Sequence, residues 1–251
     1  MKIALLCGGP SPERGISLNS ARSVLDHLGS DKVEIIPVYF DYKKKSYLIS
    51  KSQLYSNTPS DFDFKLSSQT TALDKNELVK LLREVDIAFP VMHGAFGEDG
   101  QIQSLLEKND IPFVGSGSKT CKTIFDKYNS NRFIKSLGFY TLPCGVLKIF
   151  KKDHKEIIEK FFRDNNLTRA IIKPATGGSS IGVFSVNTTK EALEKVNYLF
   201  SKRADTRVVM EPFCEGTEFT VIVLQNRFDL PVAILPTEIE TEYSKNQIFD
   251  F

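Results

Sequence analysis

Ile171–Val186 reads IIKPATGGSSIGVFSV. Two apolar runs flank a short polar loop, the pattern of two buried strands joined by a tight connection. The loop holds more than a turn needs. Lys173 ends the first run, and Gly177, Gly178, Ser179 and Ser180 follow. One physical use of such a set is to hold phosphates. The lysine is a compact point charge. The glycines let backbone N–H groups close on an anion, and the hydroxyls add donors. A β-hairpin with a glycine-rich turn fits the same residues equally well. GSGSKT at 115–120 imitates a P-loop but lacks the glycine before Lys119. A helix N-terminus or a linker is the better expectation there.

Working outward, RAIIKPA and IGVFSV are expected strands. DHKEIIEKFFRDNN is an expected helix capped by Asp153, and NTTKEALEKVNYLFSKR another helix. RVVMEPF, EFTVIVLQN and LPVAILP complete the strands. Strands that come in adjacent pairs predict an antiparallel α+β arrangement. SKTCKTIFDKYNSNRFIKSLG predicts one long helix ending at Gly138.

The first part differs. KIALLCGG, VEIIPVYF, DIAFPVMHG and IPFVG are expected strands that alternate with helices. That alternation predicts an α/β unit with a parallel sheet. Its first helix is expected to be capped by Ser17 and stopped by Gly29. Residues 41–72 are polar and irregular, predicting a short strand SYLIS and a long loop. The composition shifts at Gly115–Ser118, the best boundary.

The bulk properties narrow the classes. A length of 251 residues allows one large domain or two small ones. A formal net charge of +2 gives no strong field, so neither nucleic acid nor an anionic membrane is indicated as a partner. Lys43–Lys45 and Lys151–Lys152 read as solvated loops. Cys7, Cys121, Cys144 and Cys214 form no C-x-x-C pair, which fits a reducing compartment. His27, His93 and His154 form no H-E-x-x-H motif. IALLC is too short for a signal segment, and no stretch approaches a membrane span. A soluble cytoplasmic protein is the expectation.

VVMEPFCEGTEFTV supplies a second candidate site. Glu211 ends an apolar run and Glu218 follows in the same stretch. Such acids are often solvated edge residues. An adenosine site, however, needs acceptors for the adenine amino group and the ribose hydroxyls. The Pro212 carbonyl is free to accept, and Phe213 can pack on a base.

IIKPATGGSSIGV and MEPFCEGTEFTV, preceded by CGGPSPERGISLNSA and PVMHGAFGEDGQIQ, resemble the D-alanine–D-alanine ligases of the ATP-grasp superfamily. Four motifs in the right order span nearly the whole chain. The resemblance implies a Rossmann-like substrate-binding domain (1–115), a central ATP-grasp subdomain (116–210) and the start of a C-terminal subdomain (211–251). It implies a bacterial enzyme of peptidoglycan precursor synthesis that uses ATP and Mg²⁺, or Mn²⁺. One D-alanine carboxylate is phosphorylated, and the amine of a second D-alanine attacks the acyl phosphate. Glu13 matches the acid that holds the first ammonium group, and His93 a histidine near the substrate carboxylate. Lys127 and Lys173 match the lysines on the ATP phosphates. Ser179 matches a serine bonded with the first acid, and Ser180 a residue of the loop over the phosphates. Glu211, the Pro212 carbonyl and the Cys214 N–H match the adenine contacts, and Glu218 the ribose acid. Homodimers through the first domain are also implied.

There are departures. Asn131, beside Arg132, stands where the family often has a second lysine, and Gly177–Gly178 lack the acid that often precedes the glycine. The family continues for about a hundred more residues, a domain-scale segment. That segment brings an arginine and the acids for two Mg²⁺ ions. Glu238, Glu240 and Glu242 do not match those acids, so no metal ligand is expected here and the chain reads as C-terminally truncated. EFTVIVLQN and LPVAILP are then expected to keep an uncovered apolar face. An inactive ATP-binding fragment, or a ligase joining D-alanine to D-lactate or D-serine, are the alternatives.

Overall fold

A computed structural model describes residues 1–239. The chain divides into two compact units. One is Met1–Phe139 with Thr176–Gly178; the other is Tyr140–Ala175 and the chain from Ser179 onward.

The first unit runs β1 (Lys2–Gly8), α1 (Arg14–Leu28), β2 (Glu34–Phe40), β3 (Ser46–Leu48), α2 (Lys51–Ser56), α3 (Pro59–Gln69), α4 (Lys75–Arg83), β4 (Ile87–Pro90), α5 (Gln101–Glu107), α6 (Ser118–Phe125) and α7 (Lys127–Ser136). The sheet order is β3-β2-β1-β4. β1 is parallel to both β2 and β4, and β3 is antiparallel to β2. Ile3, Leu5 and Cys7 pack with Leu18 and Ala21 of α1, Leu54 of α2 and Phe62 of α3. Ala4 and Leu6 face the other way, onto Leu78 and Leu82 of α4 and Ile102 and Leu106 of α5. Both faces of β1 are covered, which is why IALLC is apolar without alternation.

Local chemistry corrects several sequence expectations. The supposed loop within 41–72 holds two helices, each opened by a capping box. Ser50 and Gln53 cap α2; Thr58 and Asp61 cap α3, with Pro59 pre-set in its first turn. The single helix expected over 118–138 is two. Asp126 is extended (φ −90°, ψ 107°), and its carboxylate accepts from Asn129 N–H to start α7. IPFVG forms only an isolated bridge, Ala88 to Phe113.

Ser17 is not the cap of α1. Glu13 occupies that position, and Ser17 is fully buried one turn later. Its hydroxyl accepts from Gly8 N–H at 2.9 Å and donates to the Val91 carbonyl at 2.7 Å. It thereby ties the end of β1 to the segment after β4. Ser17→Ala should destabilise the fold by about 1–3 kcal/mol, because a buried backbone N–H and a partly buried carbonyl lose that partner. A shift of the urea midpoint at unchanged slope is the expected reading.

The second unit runs β5 (Gly145–Lys148), α8 (His154–Asp164), β6 (Ala170–Pro174), β7 (Phe184–Val186), α9 (Thr189–Ser201), β8 (Arg207–Pro212), β9 (Glu218–Thr220), β10 (Val223–Gln225), β11 (Pro231–Ala233) and β12 (Thr237–Ile239). Its main sheet, β5-β8-β6-β7, is antiparallel throughout. Ala170 and Ile172 of β6 pack with Ile158 of α8 and Val196 and Leu199 of α9. Asp153 stands at the start of α8 without a side-chain cap bond. The stretch EFTVIVLQN is broken in two: β9 pairs with β12 and β10 with β11. Phe219, Ile222, Leu224, Phe228 and Leu235 on these ribbons are exposed.

Candidate functional site

In the first unit, the loops after β1 and β4 come together at the carboxyl ends of parallel strands. That is where open α/β sheets place ligands. Glu13 is the N-cap residue of α1, where the helix dipole favours a carboxylate. Ser11, itself buried, accepts from Glu13 N–H at 3.2 Å and donates to Glu13 Oε2 at 3.4 Å. Gly94 supplies the other wall. A side chain there would collide with Ser11 Oγ and lie 2.7 Å from Glu13 Oε2, and its φ of +70° also favours glycine.

His93, immediately before it, has a hydrogen-bond partner at one ring nitrogen and a charged neighbour at the other. Nε2 lies 3.0 Å from Ser20 Oγ, and Nδ1 lies 3.9 Å from Glu98 Oε1. The second Glu98 oxygen accepts from Gly94 N–H at 2.8 Å. The same unit includes Thr176–Gly178. The Lys127 ammonium, at the start of α7, donates to the Gly177 carbonyl at 2.8 Å. A Cβ on Gly178 would lie 3.6 Å from both Glu13 carboxylate oxygens.

In the second unit, strand register makes the arrangement. Ile171 pairs with Glu211 and Lys173 with Val209, so Lys173 and Glu211 are diagonal neighbours. Ala170 and Ile172 face the helices, which leaves Lys173 and Glu211 on the opposite face of the sheet. Their Nζ and Oε2 are 2.5 Å apart, with side chains 20% and 17% exposed. An ammonium has three donors, so this bond leaves others for a ligand. Beyond Lys173 the chain turns sharply. Gly177, Ser179, Ser180 and Gly182 all have positive φ, and Val183 N–H closes onto the Ser180 carbonyl at 3.2 Å. Two serines in the left-handed region carry a conformational cost that glycine or asparagine at the same positions would largely avoid.

Pro212 ends β8 opposite Ala170. Phe213 lies under the Arg169 guanidinium, 3.6 Å from ring centroid to Cζ. Cys214 is exposed just beyond, and Glu218 is exposed on the separate β9–β12 ribbon.

Ser11, Ser20, Glu98 and Arg169 were not singled out from the sequence. The S-x-E spacing in PSPERG was the available signal for Ser11. Ser20 had none, because its partner is distant in the chain.

Beneath the Gly8–Gly9 turn, burial pushes the Cys7 thiol from its ordinary 9.0 up to about 12, partly offset by the charge of Arg22. The unfolded chain loses this proton at lower pH than the folded one. The contribution of this thiol to stability should therefore be flat below about pH 9 and fall between there and about 12. This one group contributes a slope of up to about 1.4 kcal/mol per pH unit. Urea unfolding across that window should show the loss, and Cys7→Ala should reduce it.

Comparison with known proteins decides the family. The description "D-ala D-ala ligase N-terminus" matches residues 2–116, and "D-ala D-ala ligase C-terminus" matches residues 134–251. The chain belongs to the D-alanine–D-alanine ligase family. A family relative from Clostridium beijerinckii, named D-alanine–D-alanine ligase, is 31% identical over all of this chain and 68% of its own length. One from Halothermothrix orenii is 30% identical over 98% of this chain and 73% of its own length. Among solved family structures, the D-alanine-D-alanine ligase from Coxiella burnetii superposes with a TM-score of 0.82 at 27% identity, covering 95% of this chain and 71% of that one. The VanG D-Ala:D-Ser ligase from Enterococcus faecalis gives 0.78 at 26%, covering 99% and 74%. The N-terminal family match stops beside the boundary expected at 115, whereas the compact unit continues through α6 and α7 to Phe139.

Proposed function

We propose that the protein joins two D-alanines in an ATP-dependent ligase reaction of peptidoglycan precursor synthesis. A carboxylate is a poor electrophile with a poor leaving group. Its oxygen attacks the γ-phosphorus of ATP, ADP departs, and an acyl phosphate forms. The amine of the second D-alanine attacks the acyl carbon, phosphate leaves, and the amine gives up a proton. Positioning and charge stabilisation then supply most of the catalysis.

The observation that carries this reading is the meeting of Glu13, Ser11 and the His93–Gly94 segment at the strand ends. Glu13 holds the ammonium of the first D-alanine, and His93 faces its carboxylate. Ser179 joins the network of the first acid. Lys127, Lys173 and Ser180 take the ATP phosphates. Glu211, the Pro212 carbonyl and the Cys214 N–H take the adenine edge, and Glu218 the ribose. The Lys173 charge and the backbone of the strained loop fit a phosphate's demand for donors. Mg²⁺ or Mn²⁺ is expected to accompany the phosphates. Among the described residues no group of three or more His, Cys, Asp or Glu could hold a metal ion, and no step is assigned to it.

No helix among the described residues is long and apolar enough to cross a membrane. We place the enzyme in the bacterial cytoplasm as a homodimer with no nucleic-acid or membrane partner. Sedimentation that returned only monomer would remove the dimer.

The test is ADP release from this chain with ATP, Mg²⁺ and D-alanine, with the product identified by mass. D-alanine-dependent ADP and the dipeptide are expected. ATP binding without D-alanine-dependent turnover would instead support an inactive ATP-binding protein. A mixed product in the presence of D-serine would move the assignment toward the VanG-like activity.

A further inference from the structure

We infer that Ser20 and Glu98 are positioning residues that clamp the His93 ring with its proton on Nδ1 and its lone pair on Nε2. This deepens the D-alanine reading and rests on it for function, though not for the clamp itself. The Glu98 carboxylate lies 3.9 Å from Nδ1, too far for a direct hydrogen bond, but its negative charge on that side of the ring favours the hydrogen on Nδ1. Nε2 then accepts from the Ser20 hydroxyl at 3.0 Å. Both partners are themselves placed by structure. Ser20 sits on α1, the helix whose first turn carries Glu13. Glu98 is held by Gly94 N–H, the residue that walls Glu13. The acid and the histidine are thus set from the same two elements.

The clamp also works in both protonation states. A hydroxyl can donate or accept, so when Nε2 takes a proton the Ser20 O–H turns and accepts from it. The ring can gain or lose that proton without losing a hydrogen bond or changing orientation. Nε2, not Nδ1, is therefore the atom that exchanges protons with anything bound beside it.

The experiment is long-range ¹H–¹⁵N correlation of the imidazoles in the full chain, above the ordinary histidine pKa. Only three histidines contribute, and two are internal standards. His27 Nδ1 lies 2.7 Å from the Ser23 carbonyl and His154 Nε2 lies 2.9 Å from the Lys148 carbonyl, so each of those nitrogens carries its hydrogen. His93 should show the Nδ1–H pattern. Ser20→Ala should move its Nε2 resonance downfield by several ppm, and Ser20→Thr should restore it. D-Alanine affinity, from calorimetric titration, should fall about threefold to tenfold in Ser20→Ala, the worth of one hydrogen bond, and recover in Ser20→Thr. An Nε2–H pattern in the wild-type chain, or a spectrum untouched by Ser20→Ala, overturns the clamp. A changed spectrum with unchanged D-alanine affinity overturns its positioning role. If the wild-type chain binds no D-alanine while the spectra behave as expected, the clamp stands and the substrate reading fails.

Discussion

Lys173→Ala should weaken ATP binding by about ten- to a hundredfold, the range for losing a charge-assisted hydrogen bond to a ligand. It should also lower stability. Lys173 and Glu211 sit 2.5 Å apart and are largely shielded from water. Removing the ammonium leaves the Glu211 carboxylate there without that cation. For a fully buried pair the loss is about 3–5 kcal/mol. At this partial exposure about 1–3 kcal/mol is the better figure, since water screens what remains. Glu211→Gln in the Lys173→Ala background separates the two effects. It should recover much of the stability, because the unpaired charge is gone, and none of the ATP affinity. A double-mutant cycle read by thermal unfolding and by nucleotide calorimetry measures both. Unchanged ATP affinity in Lys173→Ala would exclude Lys173 as the phosphate anchor.

Gly94→Ala should abolish most D-alanine binding. The new methyl must enter space held by Ser11 Oγ and the Glu13 carboxylate, at a φ of +70°. Backbone strain at such a position is of order 1–3 kcal/mol. The collision adds displacement of Glu13, and misplacing a charged contact by an ångström costs more than tenfold in binding or rate. Gly115→Ala is the matched control. Gly115 also has positive φ, +120°, but nothing lies within 4 Å of its Cβ position. It should show the backbone cost alone, about 1–3 kcal/mol, with D-alanine affinity intact. Equal losses in the two variants would mean that Gly94 matters only as a flexible hinge.

What was legible in the sequence depended on how local its cause was. IALLC announced a strand covered on both faces because every residue in it is apolar. The capping boxes at Ser50–Gln53 and Thr58–Asp61 are equally local, yet the polarity of 41–72 outweighs the S-x-x-Q and T-P-x-D signals and points to a loop. Asp126 broke an apparently continuous helix by the same cap chemistry. Ser17 looked like a cap because serine favours that role. Its actual partners, Gly8 and Val91, are brought to it only by the parallel pairing of β1 and β4. The ligand roles proposed for Ser179, Lys127, Cys214 and Glu218 rest on motif position, which neither periodicity nor strand register supplies.

The sequence by itself determined the division into a parallel α/β part and an antiparallel α+β part, and the family. Patterning, glycines and motif order are written along the chain. Tertiary structure decided which side chains meet. Lys173 finds Glu211 through antiparallel register, a property of two strands and not of either one. Ser20 of α1 reaches His93, and Gly94 reaches Glu13, because the segments that follow β1 and β4 leave the ends of adjacent parallel strands. A polar group's partner is set by distance across the sheet, and distance across a sheet is not recorded in a linear pattern.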